Sequence, residues 1–161
     1  MIPTDRFFDG QSEVEYEGKL YSRIHPIIQT PGKYNLHFKF ISTNSEYEQC
    51  IGISMYQFKG TAKLDGNKVK LGRGKFTGLK LSEKTAPERF DVELTVVGGA
   101  VCIYNSVYGW LADVKNYTPW VLPTMIVEKN GENSYVFHCN DYVYDDDFDD
   151  LVFSLVVTKL E

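Results

Sequence analysis

Tyr34-Asn35-Leu36-His37-Phe38-Lys39-Phe40 puts Tyr34, Leu36, Phe38 and Phe40 at alternate positions, with Asn35, His37 and Lys39 between them. A period of two over seven residues is the signature of a strand buried on one face and wetted on the other, as in an antiparallel sheet. Outward from it the same grammar repeats. Pro31-Gly32 marks a turn upstream, and before it Val14 to Tyr16 and Leu20 to Ile24 alternate around Glu17-Gly18, which reads as a hairpin. Downstream, Cys50 to Phe58 is apolar on both sides and reads as a central strand. Thr61 to Leu64 and Lys68 to Leu71 flank Asp65-Gly66-Asn67, a three-residue hairpin loop. Lys75 to Leu81 forms a further short strand. Phe90, Val92, Leu94 and Val96 share a face, and Gly98-Gly99 is expected to close a two-residue hairpin onto Ala100 to Tyr104. Met125 to Glu128 pairs with Tyr135 to Cys139, and Leu151 to Lys159 closes the series.

No segment carries a sustained helical period with caps. About ten short strands at regular spacing predict an all-β chain, a single-domain antiparallel β-sandwich over residues 1–161 with jelly-roll character. The 161 residues suffice for one core. The 43% hydrophobic and 14% aromatic content places the chain among globular proteins, not disordered ones.

Charge and composition exclude several classes. A net charge of -5 opposes nucleic-acid binding, which needs cations to replace counterions. No apolar run approaches the roughly 20 residues of a membrane span. Met1 to Gly10 shows no signal peptide, so the expected location is cytoplasmic, or outside by a route without a visible signal. Cys50, Cys102 and Cys139 are odd in number and lack a spacing motif, which predicts reduced thiols buried in strands.

Catalytic signatures are sparse. There is no Gly-x-Ser-x-Gly and no His-Glu-x-x-His, and His25, His37 and His138 are scattered. His138 and Cys139 are adjacent on an expected strand, so they face opposite ways and cannot share a metal. Gly72-Arg73-Gly74 lacks the strand-loop-helix setting of a phosphate loop.

The richest chemistry lies in Asn140 to Leu155. Asp141, Asp145, Asp146, Asp147, Asp149 and Asp150 put six carboxylates within ten residues, directly before an apolar strand. Two like charges about 4 Å apart repel by ~1 kcal/mol even in bulk water. Such a loop therefore stays solvated or takes up a cation, and calcium is the hard cation that suits oxygen ligands. An EF-hand is excluded: Asp150 stands where its glycine belongs, and Val156 where its glutamate belongs.

Asp145-Asp146-Asp147-Phe148-Asp149-Asp150-Leu151-Val152-Phe153 resembles the Asp-x-Asp-Tyr-Asn-Asp-x-Val-Val motif of the two-calcium bacterial lectins that bind fucose and mannose. The resemblance implies a calcium-binding, carbohydrate-binding loop with Asp141, Asp145, Asp147, Asp149 and Asp150 as candidate metal ligands. It covers about ten residues, and the rest of the chain is unlike those lectins. Asp149 stands for the family's Asn and keeps an oxygen ligand. Phe148 stands for its Tyr, and Tyr142 for an acidic sugar contact. Without metal, the loop would act as a solvated guard against edge pairing of the strand behind it.

A second candidate is the aromatic stretch Asn105 to Pro123. Tyr108, Trp110, Tyr117 and Trp120 there could present a platform for a sugar or for a partner protein, or cap the core. Asn116-Tyr117-Thr118 is a glycosylation pattern that matters only on export. The sequence thus points to a non-catalytic binding module, with calcium-dependent carbohydrate binding first. An intracellular interaction protein of the inhibitor or immunity type, using the aromatic stretch, is second and an enzyme third.

Overall fold

The computed structural model describes residues 11–45, 47–72, 74–107, 123–140 and 147–160. Its described strands are β1 (Glu13–Tyr16), β2 (Lys19–Ser22), β3 (His25–Ile28), β4 (Gly32–Thr43), β5 (Gln49–Leu64), β6 (Asn67–Val69), β7 (Phe76–Ser82), β8 (Arg89–Val107), β9 (Met125–Lys129), β10 (Ser134–Cys139) and β11 (Leu151–Lys159). Every pairing is antiparallel, in the order β1-β2-β9-β10-β11-β4-β8-β5-β6, with β3 beside β8 and β7 beside β5. The described residues contain no helix, and hence none long and apolar enough to cross a membrane. The all-β, antiparallel, sandwich-like architecture expected from the alternating pattern is the one observed.

The layers are made by two long strands that belong to both. Arg89 to Val96 of β8 pairs with β4 and with Gly60 to Leu64 of β5. Beyond the glycines, β8 pairs instead with β3 and with Gln49 to Tyr56 of β5, whose other edge carries β7. The change of layer is written in the burial pattern. Even-numbered residues of β8 face the core up to Val96, and odd-numbered ones from Val101 to Val107. The core side of β5 switches parity too, from Ile51, Ile53 and Met55 to Ala62. A face exchange of this kind needs irregular residues, and the register shifts between Tyr56 and Gly60 supply them. Gln57 and Phe58 stand opposite Gly99 alone, and Val97 has no partner between the Lys59–Gly98 and Gly60–Val96 pairs.

This corrects the hairpin expected at Gly98-Gly99. β8 continues through both glycines as a 19-residue strand. Gly99 has φ +91°, and a Cβ there would crowd the carbonyl oxygens of Tyr56 and Gln57 at 2.5 and 2.6 Å. Glycine is required for a bend against a neighbouring strand, not for a reversal. The β5–β6 loop is likewise shorter than expected. Asp65 and Gly66, with φ 46° and 83°, form a two-residue turn, and Asn67 already pairs with Leu64. The Glu17-Gly18 hairpin and the β9–β10 and β11 assignments agree with the sequence reading.

Between the layers, β4, β8, β10 and β11 contribute a ladder of rings. Phe137 stacks on its cross-strand partner Phe153 at 4.8 Å, and Phe38 stacks on Phe90 at 5.1 Å. Phe38 and Phe153 lie 6.3 Å apart and join the two pairs. All four are fully or almost fully buried. Aromatic pairs in such geometry add about 0.5–1.5 kcal/mol each beyond their area burial. Ile51, Ile53, Met55, Val101 and Ile103 from the other layer close over this ladder.

Candidate functional site

β10 ends at Cys139, and the next residue closes the neck of the acidic loop. The Asn140 amide donates to the Thr124 carbonyl at 3.0 Å, and its own carbonyl accepts from Asn105 Nδ2 at 2.8 Å. Asn140 Oδ1 accepts from the backbone N–H of Phe148 at 3.0 Å, which brings the two ends of the loop together. Phe148 adopts a left-handed φ of 52°, is buried, and sets its ring edge-on to Tyr21 at 5.7 Å. Asp150 N donates to the Cys139 carbonyl and Asn44 N to the Asp150 carbonyl, so the returning chain is fixed on two sides.

Of the five candidate metal ligands, Asp141 and Asp145 lie outside the described residues. Asp147 is exposed, Asp149 half-buried and Asp150 buried. Asp149 Oδ2 accepts from Asn44 Nδ2 at 3.1 Å, while its Oδ1 is shielded from solvent and has no hydrogen-bond partner among the described residues. Among the described residues, no three His, Cys, Asp or Glu side chains converge as a metal site. The Asp147 to Asp150 arm alone is therefore an incomplete donor set for calcium, which needs 6–8 oxygens. The aromatic candidates Tyr108, Trp110, Tyr117 and Trp120, the Asn116 pattern, Arg73 and Met1 to Gly10 also lie outside the described residues.

Beside the loop is a groove that the sequence reading missed. It has a volume of about 500 Å³, and Lys19, Glu128, Lys129, His138, Asp147 and Phe148 are among its lining residues. Its size falls in the range of small-ligand sites. Glu128 and His138 project from the outer face of β9 and β10 on diagonal positions, and His138 Nε2 lies 3.0 Å from Glu128 Oε2. The only signal in the sequence was their outward parity on the β9–β10 hairpin.

The other histidines also meet carboxylates. His25 Nδ1 lies 2.5 Å from Glu13 Oε2, tying β3 to β1, and its ring stands edge-on to Tyr135 and Phe137. His37 Nδ1 and Asn35 Nδ2 both lie 2.9 Å from Asp91 Oδ1. The Asn35 hydrogen bond, helped by His37, holds the Asp91 carboxyl below the ordinary aspartate range. Each of the three histidines thus has a carboxylate within hydrogen-bond distance.

The three cysteines are unpaired thiols on β5, β8 and β10, with Cys50 and Cys139 buried and Cys102 partly so. Burial pushes the Cys50 thiol up to about 12 and Cys102 to about 11, and raises Cys139 well above the usual thiol range. None is poised as a nucleophile. Comparison with protein-family models, curated proteins and solved structures finds no match.

Proposed function

We propose that this protein is a non-catalytic binding module that takes a hydroxyl-rich ligand of the carbohydrate class beside the acidic loop, with calcium at the loop. The observation that carries the reading is Asp149. A carboxylate oxygen held out of water without a donor costs free energy unless a cation meets it, and Asp149 Oδ1 is such an atom on an arm whose backbone is pinned by Cys139, Asn140 and Asn44. Asp141, Asp145, Asp147 and Asp150 are the further donors assigned to the ion. The adjoining groove supports the ligand half of the reading, because His138, Glu128 and Lys19 offer donors and acceptors beside the apolar side chains of Ile126 and Phe148. Bound calcium would supply open coordination positions for ligand hydroxyls.

The test is a melting curve in chelator, in magnesium and in calcium. Binding to the folded state alone stabilises it by ~2.7 kcal/mol at a hundred-fold excess over Kd. That corresponds to a rise of roughly 5–10 °C for a domain of this size. Magnesium is expected to reproduce the rise poorly, since it demands octahedral geometry and keeps its waters. Asp147→Asn and Asp149→Asn should each shrink it. With calcium bound, free fucose or mannose should add a further rise, and Lys19→Ala with His138→Ala should remove that second step. An unchanged melting temperature from chelator to calcium, with Asp147→Asn as stable as the parent or more so, would leave the loop as a solvated guard.

A further inference from the structure

The bend where β5 and β8 change layers gathers charge of the sign opposite to the whole chain. Residues 57–77 hold six of the 17 lysines and arginines but only one of the 22 acids, Asp65. Two concavities meet here and share Phe58 and Gly74. One, of about 760 Å³, is lined by Gln57, Lys59, Lys75 and Val97, and the other, of about 450 Å³, by Lys68, Lys70 and Thr77. Among the described residues, no carboxylate lines either. Lys63, farther along β5, stands opposite Glu93 and is partly offset by it.

Large apolar side chains stand in water among these lysines. Phe76 is 67% exposed and Val97 65%, the two highest values for such residues among those described. Both are held there by the backbone. Val97 is the unpaired residue of the β8 bulge. Phe76 opens β7 directly after Lys75, whose carbonyl accepts from Gln57 N at 2.7 Å, and its ring lies 5.1 Å from Tyr56.

We propose that this end of the molecule docks on an anionic lipid bilayer, with Phe76 and Val97 entering the interface and Lys59, Lys68, Lys70 and Lys75 meeting the headgroups. Charge complementarity and exposed apolar anchors coincide at one end, and a bilayer surface uses both. A phosphate backbone would engage the lysines but leave Val97 in water. The net charge of -5 is no obstacle. The Gly32 end of β4 pairs with Val96 and its Thr43 end with Leu151, so the acidic loop lies about 36 Å of strand away. That is several times the ~8 Å screening length of physiological salt.

The experiment is flotation with vesicles of phosphatidylcholine alone or with one part in three phosphatidylserine, in chelator so that the acidic loop plays no part. The protein should float with the anionic vesicles only, at about 100 mM salt, and release as salt rises. Lys59→Glu with Lys75→Glu should weaken binding by about tenfold or more. Phe76→Ser with Val97→Ser should also weaken it, while circular dichroism and melting stay as in the parent. Failure to float with anionic vesicles, equal floating with neutral ones, or capture by heparin or single-stranded RNA without vesicle binding would overturn the proposal.

Discussion

The ring of Tyr104 occupies the space where a side chain on Gly52 would stand. The two residues are direct cross-strand partners in β8 and β5, and a Cβ on residue 52 would fall against the ring's far edge. Gly52→Ala is therefore expected to destabilise the fold by about 1–3 kcal/mol, the usual range for overpacking. Tyr104→Ala should relieve most of that penalty, so a double-mutant cycle in urea should show strong coupling. Additive effects would mean that the ring moves aside freely.

Gly98 and Gly99 should differ sharply although they are neighbours. A Cβ at 98 would meet only the Lys59 side chain, at 4.0 Å, whereas one at 99 would meet two carbonyl oxygens at positive φ. Gly98→Ala is expected to be nearly silent, and Gly99→Ala to cost at least about 1–2 kcal/mol. Equal melting temperatures for the two variants would contradict the bend.

The thiols should resist alkylation. With Cys50 raised to about 12 and Cys102 to about 11, little thiolate is present at pH 8. Native protein treated with iodoacetamide should stay largely unmodified by mass spectrometry, and all three cysteines should label in denaturant. Rapid labelling of a single native cysteine would show that its strand opens locally.

Two carboxyl groups should give pH dependences of opposite slope. Asp91 titrates below its ordinary 3.8, so it stabilises the fold above that pH and loses the contribution as pH falls through its lower folded value. Asp91→Asn should thus cost stability at pH 6 and little at pH 2, and because the group is half exposed the difference should be under about 1 kcal/mol. Burial, with the Glu48 charge beside it, raises Glu83, whose Oε2 has no hydrogen-bond partner among the described residues. Glu83 therefore costs stability once ionised, and the cost disappears as pH falls through its raised value to the ordinary carboxylate range. Glu83→Gln should melt higher than the parent at pH 7, and the gap should close on acidification.

The fold was legible wherever one face is wet. Tyr34 to Phe40 and Phe90 to Val96 alternate because solvent enforces the parity, and both were read correctly. The bend was not, because a Gly-Gly pair signals permissive backbone without saying whether the chain reverses or continues. What distinguishes the two is the parity change from Val96 to Val101 together with a matching one in β5, a comparison between distant segments. The acidic loop was visible as charge density. Its neck was not, since Asn44, Asn105 and Asn140 are single polar residues separated by up to 96 positions, and nothing local says that they meet. The groove residues Glu128 and His138 were hidden for the same reason: each looks like an ordinary outward residue until β2 and the loop are placed beside them.

β11 follows every other described strand along the chain, yet it lies between β10 and β4, with Phe153 opposite Phe40 and Leu155 opposite Phe38. While the chain is being synthesised, the open edge of β4 must wait for a partner more than a hundred residues downstream. Until then its Phe38 and Phe40 side chains and its unpaired amides are available to other nascent chains. This protein is thus expected to complete its folding only after β11 has left the ribosome, and to be shielded during that interval by a chaperone.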